Sequence, residues 1–178
     1  VDMAVANDGV KHALANGYGL VYNATGDTAI GNSFPVLYWN SATDTWKSIS
    51  SEAVDTVQDL GVLYPTNSIG QAYPSISVSE DGQVLYAMWT GPQITAGVLD
   101  TLGGLFWRDL YHAYSTDAGA TWTYGGVVAG MQLDNSEAFG HASQHLEAIT
   151  NGYRAHIVYI ADLTTGVGPF DGILTNNP

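Results

Sequence analysis

The residues best suited to chemistry lie in one polar stretch near the end of the chain, Glu137-Ala-Phe-Gly-His141-Ala-Ser-Gln-His145-Leu-Glu147. Glu137, His141 and His145 are spaced by four, so a helix would place them on one face. Two imidazoles and a carboxylate on one face suit a divalent metal. Gly140 is a poor helix residue, however, and the stretch runs into a segment patterned as a strand. The expectation is therefore no metal and no cofactor. Glu137, His141, His145 and Glu147 read first as ordinary loop residues entering a sheet, with ligand-facing polar contacts as the functional alternative. Arg108, in Phe-Trp-Arg-Asp, joins that set; its neighbour Asp109 more simply makes it a surface charge. Hydrolysis of a glycosidic bond needs two carboxylates across a cleft, at ~5–5.5 or ~6.5–9.5 Å. Glu137, Glu147, Asp109 and Asp162 are the candidates, with capping or solvated roles as the simpler reading.

The elements that must position these groups read as strands. Three segments share a hairpin pattern, residues 3–14, 76–89 and 148–159. Each is an alternating run, an Asp-Gly or Asn-Gly pair, and a second alternating run, a strong short-range hairpin signal. The turn glycines Gly9, Gly82 and Gly152 lie 73 and then 70 residues apart. That spacing marks an internal repeat. His12 and His156 fall at similar places in it and read as hydrogen-bonded packing residues.

A second hairpin follows in each of the first two repeats. Residues 110–114 alternate and lead into Ser115-Thr116-Asp117-Ala118-Gly119-Ala120-Thr121-Trp122. The aspartate can accept backbone N–H groups within its own turn. The glycine accepts a positive φ cheaply. The serine can bond neighbouring backbone. Residues 37–46 carry a degenerate version with Ser41, Asp44 and Trp46 but no glycine.

The S-x-D-x-G-x-T-W run resembles the Asp-box, the bacterial neuraminidase repeat of sialidase-like β-propellers. The resemblance implies a structural role for Ser115, Asp117, Gly119 and Trp122, away from the substrate site. It implies an all-β fold of consecutive four-stranded antiparallel blades. Residues 1–72 would form the first blade with its connection, 73–135 the second with the Asp-box, and 136–178 an incomplete third. About two and a half blades would make a partial propeller, where closure typically takes ~4–8. The remainder of the propeller, or other protein chains, would complete it. Extra length falls in the connections 51–72 and 91–106. The second is unusually apolar, fit to cover a neighbouring face or to extend a strand.

Asp-box propellers include sialidases, other glycoside hydrolases, sorting receptors and modules without known catalysis, and fold alone does not choose among them. A sialidase would need three arginines for the substrate carboxylate, a Tyr–Glu pair and an Asp acid. This chain has two arginines, Arg108 and Arg154. The segment 156–166 also resembles strands of large surface propellers of the Bacteroidetes type, exported by type IX secretion, which favours an extracellular or cell-surface location.

Composition narrows the partners. Hydrophobic residues make up 46% of the 178 and charged residues 12%, which excludes a disordered chain. Four Lys+Arg against 17 Asp+Glu give a net charge of -13. Nucleic acid is excluded as a partner because the basic footprint is absent. No apolar run approaches the ~20 residues of a membrane span, so no insertion is expected. With no cysteine there is no disulfide and no thiolate zinc site. The chain begins at Val1 with no signal peptide, which suggests processing or a longer parent, and the sequon at Asn23 reads as chance.

The expected function is thus a non-catalytic secreted or surface module recognising glycan or protein. A sialidase-like glycoside hydrolase with catalytic residues partly outside this segment is the alternative, and a structural component of a surface assembly is another.

Overall fold

The computed structural model describes residues 1–17, 19–22, 29–55, 71–95, 98–102, 105–128, 137–142 and 146–162. Over these residues the chain is built from antiparallel β-sheets with a single helical turn.

The first sheet contains β1 (Asp2–Val5), β2 (Lys11–Asn16), β5 (Val36–Asn40) and β6 (Thr45–Ser48), hydrogen-bonded in that order. A hairpin of β3 (Gly19–Tyr22) and β4 (Ala29–Ser33) is inserted between its second and third strands. The connection onward carries α1 (Glu52–Asp55); residues 56–70 of the expected 51–72 connection lie outside the described residues. The second sheet repeats the arrangement with β7 (Ala72–Val78) and β8 (Leu85–Pro92). It continues with β13 (Arg108–Ser115) and β14 (Thr123–Val127). Both hairpin turns fall at the Asp-Gly pairs, where Gly9 and Gly82 take φ of 87° and 72°.

The apolar connection 91–106 resolves into two small hairpins. β9 (Ile94–Thr95) pairs with β10 (Val98–Leu99), and β11 (Thr101–Leu102) with β12 (Leu105–Phe106). Their bases close in a ring of main-chain bonds. Gln93 N–H donates to Trp107, Trp107 N–H to Asp100, and Asp100 N–H to Gln93, at 2.7–3.0 Å. Each buried amide thereby finds an acceptor, as a strand extension requires.

The third repeat departs from its pattern. Its hairpin closes early, as β16 (Glu147–Ile149) against β17 (Gly152–Arg154). The next strand, β18 (Ile157–Asp162), leaves it for β15 (Glu137–Ala142), with six antiparallel pairs against three in the hairpin. The longer ladder satisfies more backbone groups. β15 joins the second sheet through one parallel bridge, Arg108 to Glu137.

Strand alternation decides which face each sheet buries. Leu14, Val36, Tyr38 and Ile49 point from the first sheet into the second, where Ile76, Leu85, Ala87, Trp89 and Tyr111 meet them. At about 25 cal/mol per Å² of apolar surface, each large side chain here contributes about 1.5–3 kcal/mol. The opposite face of the second sheet buries Met88 and Leu110 with Ile157 of β18. One polar hub sits at the edge of the main core. Gln71 donates to the Phe34 carbonyl and to Asp55, and accepts from the Trp89 indole at 2.6 Å. No helix among the described residues is long and apolar enough to cross a membrane.

Candidate functional site

The turn after β13 is held by its own side chains. Ser115 Oγ accepts the Gly119 N–H at 2.9 Å and donates to Asp117 Oδ1 at 2.7 Å. Asp117 then accepts the Thr121 N–H at 2.8 Å and the Thr121 hydroxyl at 2.6 Å. Thr121's hydroxyl, its N–H and the Ser115 hydroxyl pull the Asp117 carboxyl down to about 2. Ala118 and Gly119 take φ of 56° and 83°. At Gly119 a methyl group would overlap the Tyr38 hydroxyl of the first sheet, so this position requires glycine on two counts.

The same turn docks on the first sheet. Trp122 meets Tyr38 edge-on, with ring centroids 4.8 Å apart. Lys47 Nζ donates to the carbonyls of Gly119 and Ala120 at 2.9 and 2.8 Å. Ala118 N–H donates to the Gln83 carbonyl at 2.9 Å, which ties this turn to the Asp81-Gly82 turn beside it. The degenerate turn of the first sheet is held differently. Asn40 Oδ1 accepts the Ala42 and Thr43 N–H groups and the Thr43 hydroxyl, while Asp44 accepts from the Trp39 indole at 3.0 Å. Ser41 Oγ accepts the Lys11 N–H.

Between the turns of the two sheets lies a cleft of about 320 Å³. Asp8, His12, Thr43, Lys47, Gln83 and Asp117 are among the residues that line it. His12 is almost fully buried. Asn40 Nδ2 donates to the Tyr38 hydroxyl at 3.2 Å, and that hydroxyl lies 2.8 Å from His12 Nδ1. Burial lowers the His12 pKa from 6.5, against the nearby Asp8 charge, so the ring is neutral. Its buried Nε2 has no hydrogen-bond partner among the described residues. A buried polar atom left so costs about 1–3 kcal/mol unless a water or a ligand pairs with it.

The other residues singled out by sequence fall elsewhere. Arg108 is only 2% exposed and Asp109 is buried beside it, so the surface-charge reading of this pair is corrected. The pair opens β13 at the ring of Gln93, Asp100 and Trp107, and Arg108 and Asp109 oppose Pro92 and Gly91 of β8. Glu137 and His141 lie in a strand, so the helical face that would gather them with His145 does not form. His145 itself lies outside the described residues, among which no group of three potential metal ligands occurs. Asp162 stands opposite Glu137 in the ladder. Glu147 is exposed and accepts from Arg154 at 3.2 Å and from His156 at 2.9 Å. His156 is therefore a surface partner, whereas His12 is a buried one. Among the candidates that are described, Arg108 and Glu137 stand opposite each other in one parallel bridge.

The fold and site define an all-β chain in which a four-stranded sheet packs on a six-stranded, mostly antiparallel one, with turns of both meeting at a polar cleft. No family model matches the chain, and no curated protein or solved structure matches it either.

Proposed function

We propose that this chain is a non-catalytic recognition module of the Asp-box β-propeller type, outside a bacterial cell, that holds a glycan in the cleft between its first two sheets. The observation that carries this reading is the buried His12 Nε2, which lines the cleft without a protein partner. A sugar hydroxyl, which can donate or accept, would complete it. Asp8, Thr43 and Gln83 add an exposed carboxylate, hydroxyl and amide, the mix of acceptors and donors that orients hydroxyl groups. Asp117, the other carboxylate of the cleft, is committed to Thr121 and Ser115 and held ionised, which suits a fixed wall better than a proton donor. The glycoside-hydrolase alternative draws less support. Of its candidates, Asp109 is buried and Glu147 is paired with Arg154 and His156 on the surface.

A glycan array followed by calorimetric titration of the best binder tests the reading. Gln83→Ala and Thr43→Ala are expected to weaken binding about tenfold; Gln83→Ala stays within about 0.5 kcal/mol of the parent's stability, and Thr43→Ala loses about 0.5–1.5 kcal/mol with its bond to Asn40. Absence of any glycan binding, or binding indifferent to both substitutions, overturns it.

A further inference from the structure

The first sheet and the matching four strands of the second can be compared row by row. Met3 lies six residues before Gly9, and Ile76 lies six before Gly82. In the first sheet Met3, Ala13, Trp39 and Trp46 stand opposite one another across all four strands. In the second sheet the matching row is Ile76, Ala87, Ala113 and Tyr124. That second row packs in the main core, under the first sheet.

The first row points the other way from Leu14 and Tyr38, since neighbouring residues of a strand alternate. Met3 and Trp46 are each 53% exposed, and Val5 beside them is 54% exposed. The Trp39 and Trp46 rings lie 6.3 Å apart across this face. The outer face of the first sheet is thus the counterpart of the face through which the second sheet receives the first. It continues an interface already formed once within the chain.

The far end of the molecule also presents apolar side chains. Ile157 of β18 packs against Met88 and Leu110 of the second sheet. Val158 and Ile160 alternate with it and are 78% and 60% exposed. The two uncovered surfaces differ, so joining them is a heterologous, head-to-tail contact.

We propose that the Met3, Trp39 and Trp46 face of the first sheet docks the Val158 and Ile160 face of a second copy, head to tail, continuing between molecules the stacking of sheets seen within one. Such a contact closes into a ring or grows, according to the rotation per step. The net charge of -13 opposes it, so added salt strengthens it by screening.

Sedimentation velocity of the 178-residue chain over a wide concentration range tests this. The expected result is a mass that rises with concentration and with salt. Trp46→Glu and Met3→Lys at the head each weaken association at least about tenfold, because a charge is placed in an apolar contact. The Val158→Glu, Ile160→Glu double variant does the same at the tail. An equimolar mixture of a head variant and the tail variant forms a dimer that grows no further. Circular dichroism establishes that each variant is folded, and the parent concentration series decides the question by itself if one is not. A parent that stays monomeric at every concentration and salt overturns the proposal. So do folded head variants that associate like the parent, or a variant that pairs with itself.

Discussion

Tyr153 donates its hydroxyl proton to Asp81 at 2.8 Å, across 72 residues of sequence. Lys47 reaches the Gly119 carbonyl across the same 72, and Asp2 accepts the Ile76 N–H across 74. These separations match the spacing of the turn glycines. Each bond therefore joins one repeat to the next rather than closing a repeat on itself. The junctions are polar at the turns and apolar between the sheets.

Removing one of these bonds should loosen a single repeat. In Tyr153→Phe the aromatic ring remains and only the donor is lost. Hydrogen exchange is expected to quicken over residues 147–154 while the first two sheets keep their protection. Uniform quickening throughout the chain would contradict a junction role for this bond.

Gly119→Ala is expected to cost about 2–4 kcal/mol in chemical denaturation. Two effects add: a methyl in a close-packed site, and a positive φ that alanine disfavours. The added carbon overlaps the Tyr38 hydroxyl, which is itself bonded to His12 and Asn40. Gly9→Ala meets open space and carries only the φ penalty. A Gly119→Ala chain no less stable than Gly9→Ala would show that the turn does not seat on Tyr38.

Much of this frame was legible in the sequence. Asp-Gly between alternating runs located the first two hairpins, and the Ser115-to-Trp122 run located a side-chain-locked turn. Those signals are local, because turn chemistry acts within a few residues. The tertiary partners were not legible. Nothing near Arg108 marks it as buried, since its strand partners, Pro92 of β8 and Glu137 of β15, lie well away in sequence. The β15–β18 ladder was missed because the Asn151-Gly152 turn favours a long local hairpin, and a competing strand lay in a segment judged by its polar residues. His12 was recognised as a packing residue, but its place in the cleft depends on a turn of the next repeat. The residues that line the cleft share only one sequence signal: they sit in or beside the turns at one end of repeated hairpins.

The core predicts a third outcome. Leu14→Ala removes a fully buried side chain between the two sheets and should lower stability by about 2–5 kcal/mol. Leu37→Ala, on the outer face and half-buried, should cost less. Equal losses would mean that the two sheets do not pack through the Leu14 face.

The pH dependence should carry the signature of the turns. Asp117 has a folded pKa of about 2 against an ordinary 3.8, because Thr121 and Ser115 donate to its charged form. For a depressed carboxylate, the unfolded chain binds the proton first. Its stabilisation is complete above 3.8 and is lost as pH falls toward 2. Asp81 is lowered likewise, chiefly by the Ser79 hydroxyl and then by the Gln83 N–H and Tyr153. His12 acts at higher pH. Its burial lowers the folded pKa below 6.5, so stability falls as pH drops through 6.5 and the unfolded chain takes up the proton. Denaturation midpoints measured from pH 8 to pH 2 should therefore fall in two stages. Asp117→Asn should flatten the lower stage and leave the upper one intact. A lower stage that keeps its slope in Asp117→Asn would mean that the turn carboxylate is not held as the structure places it.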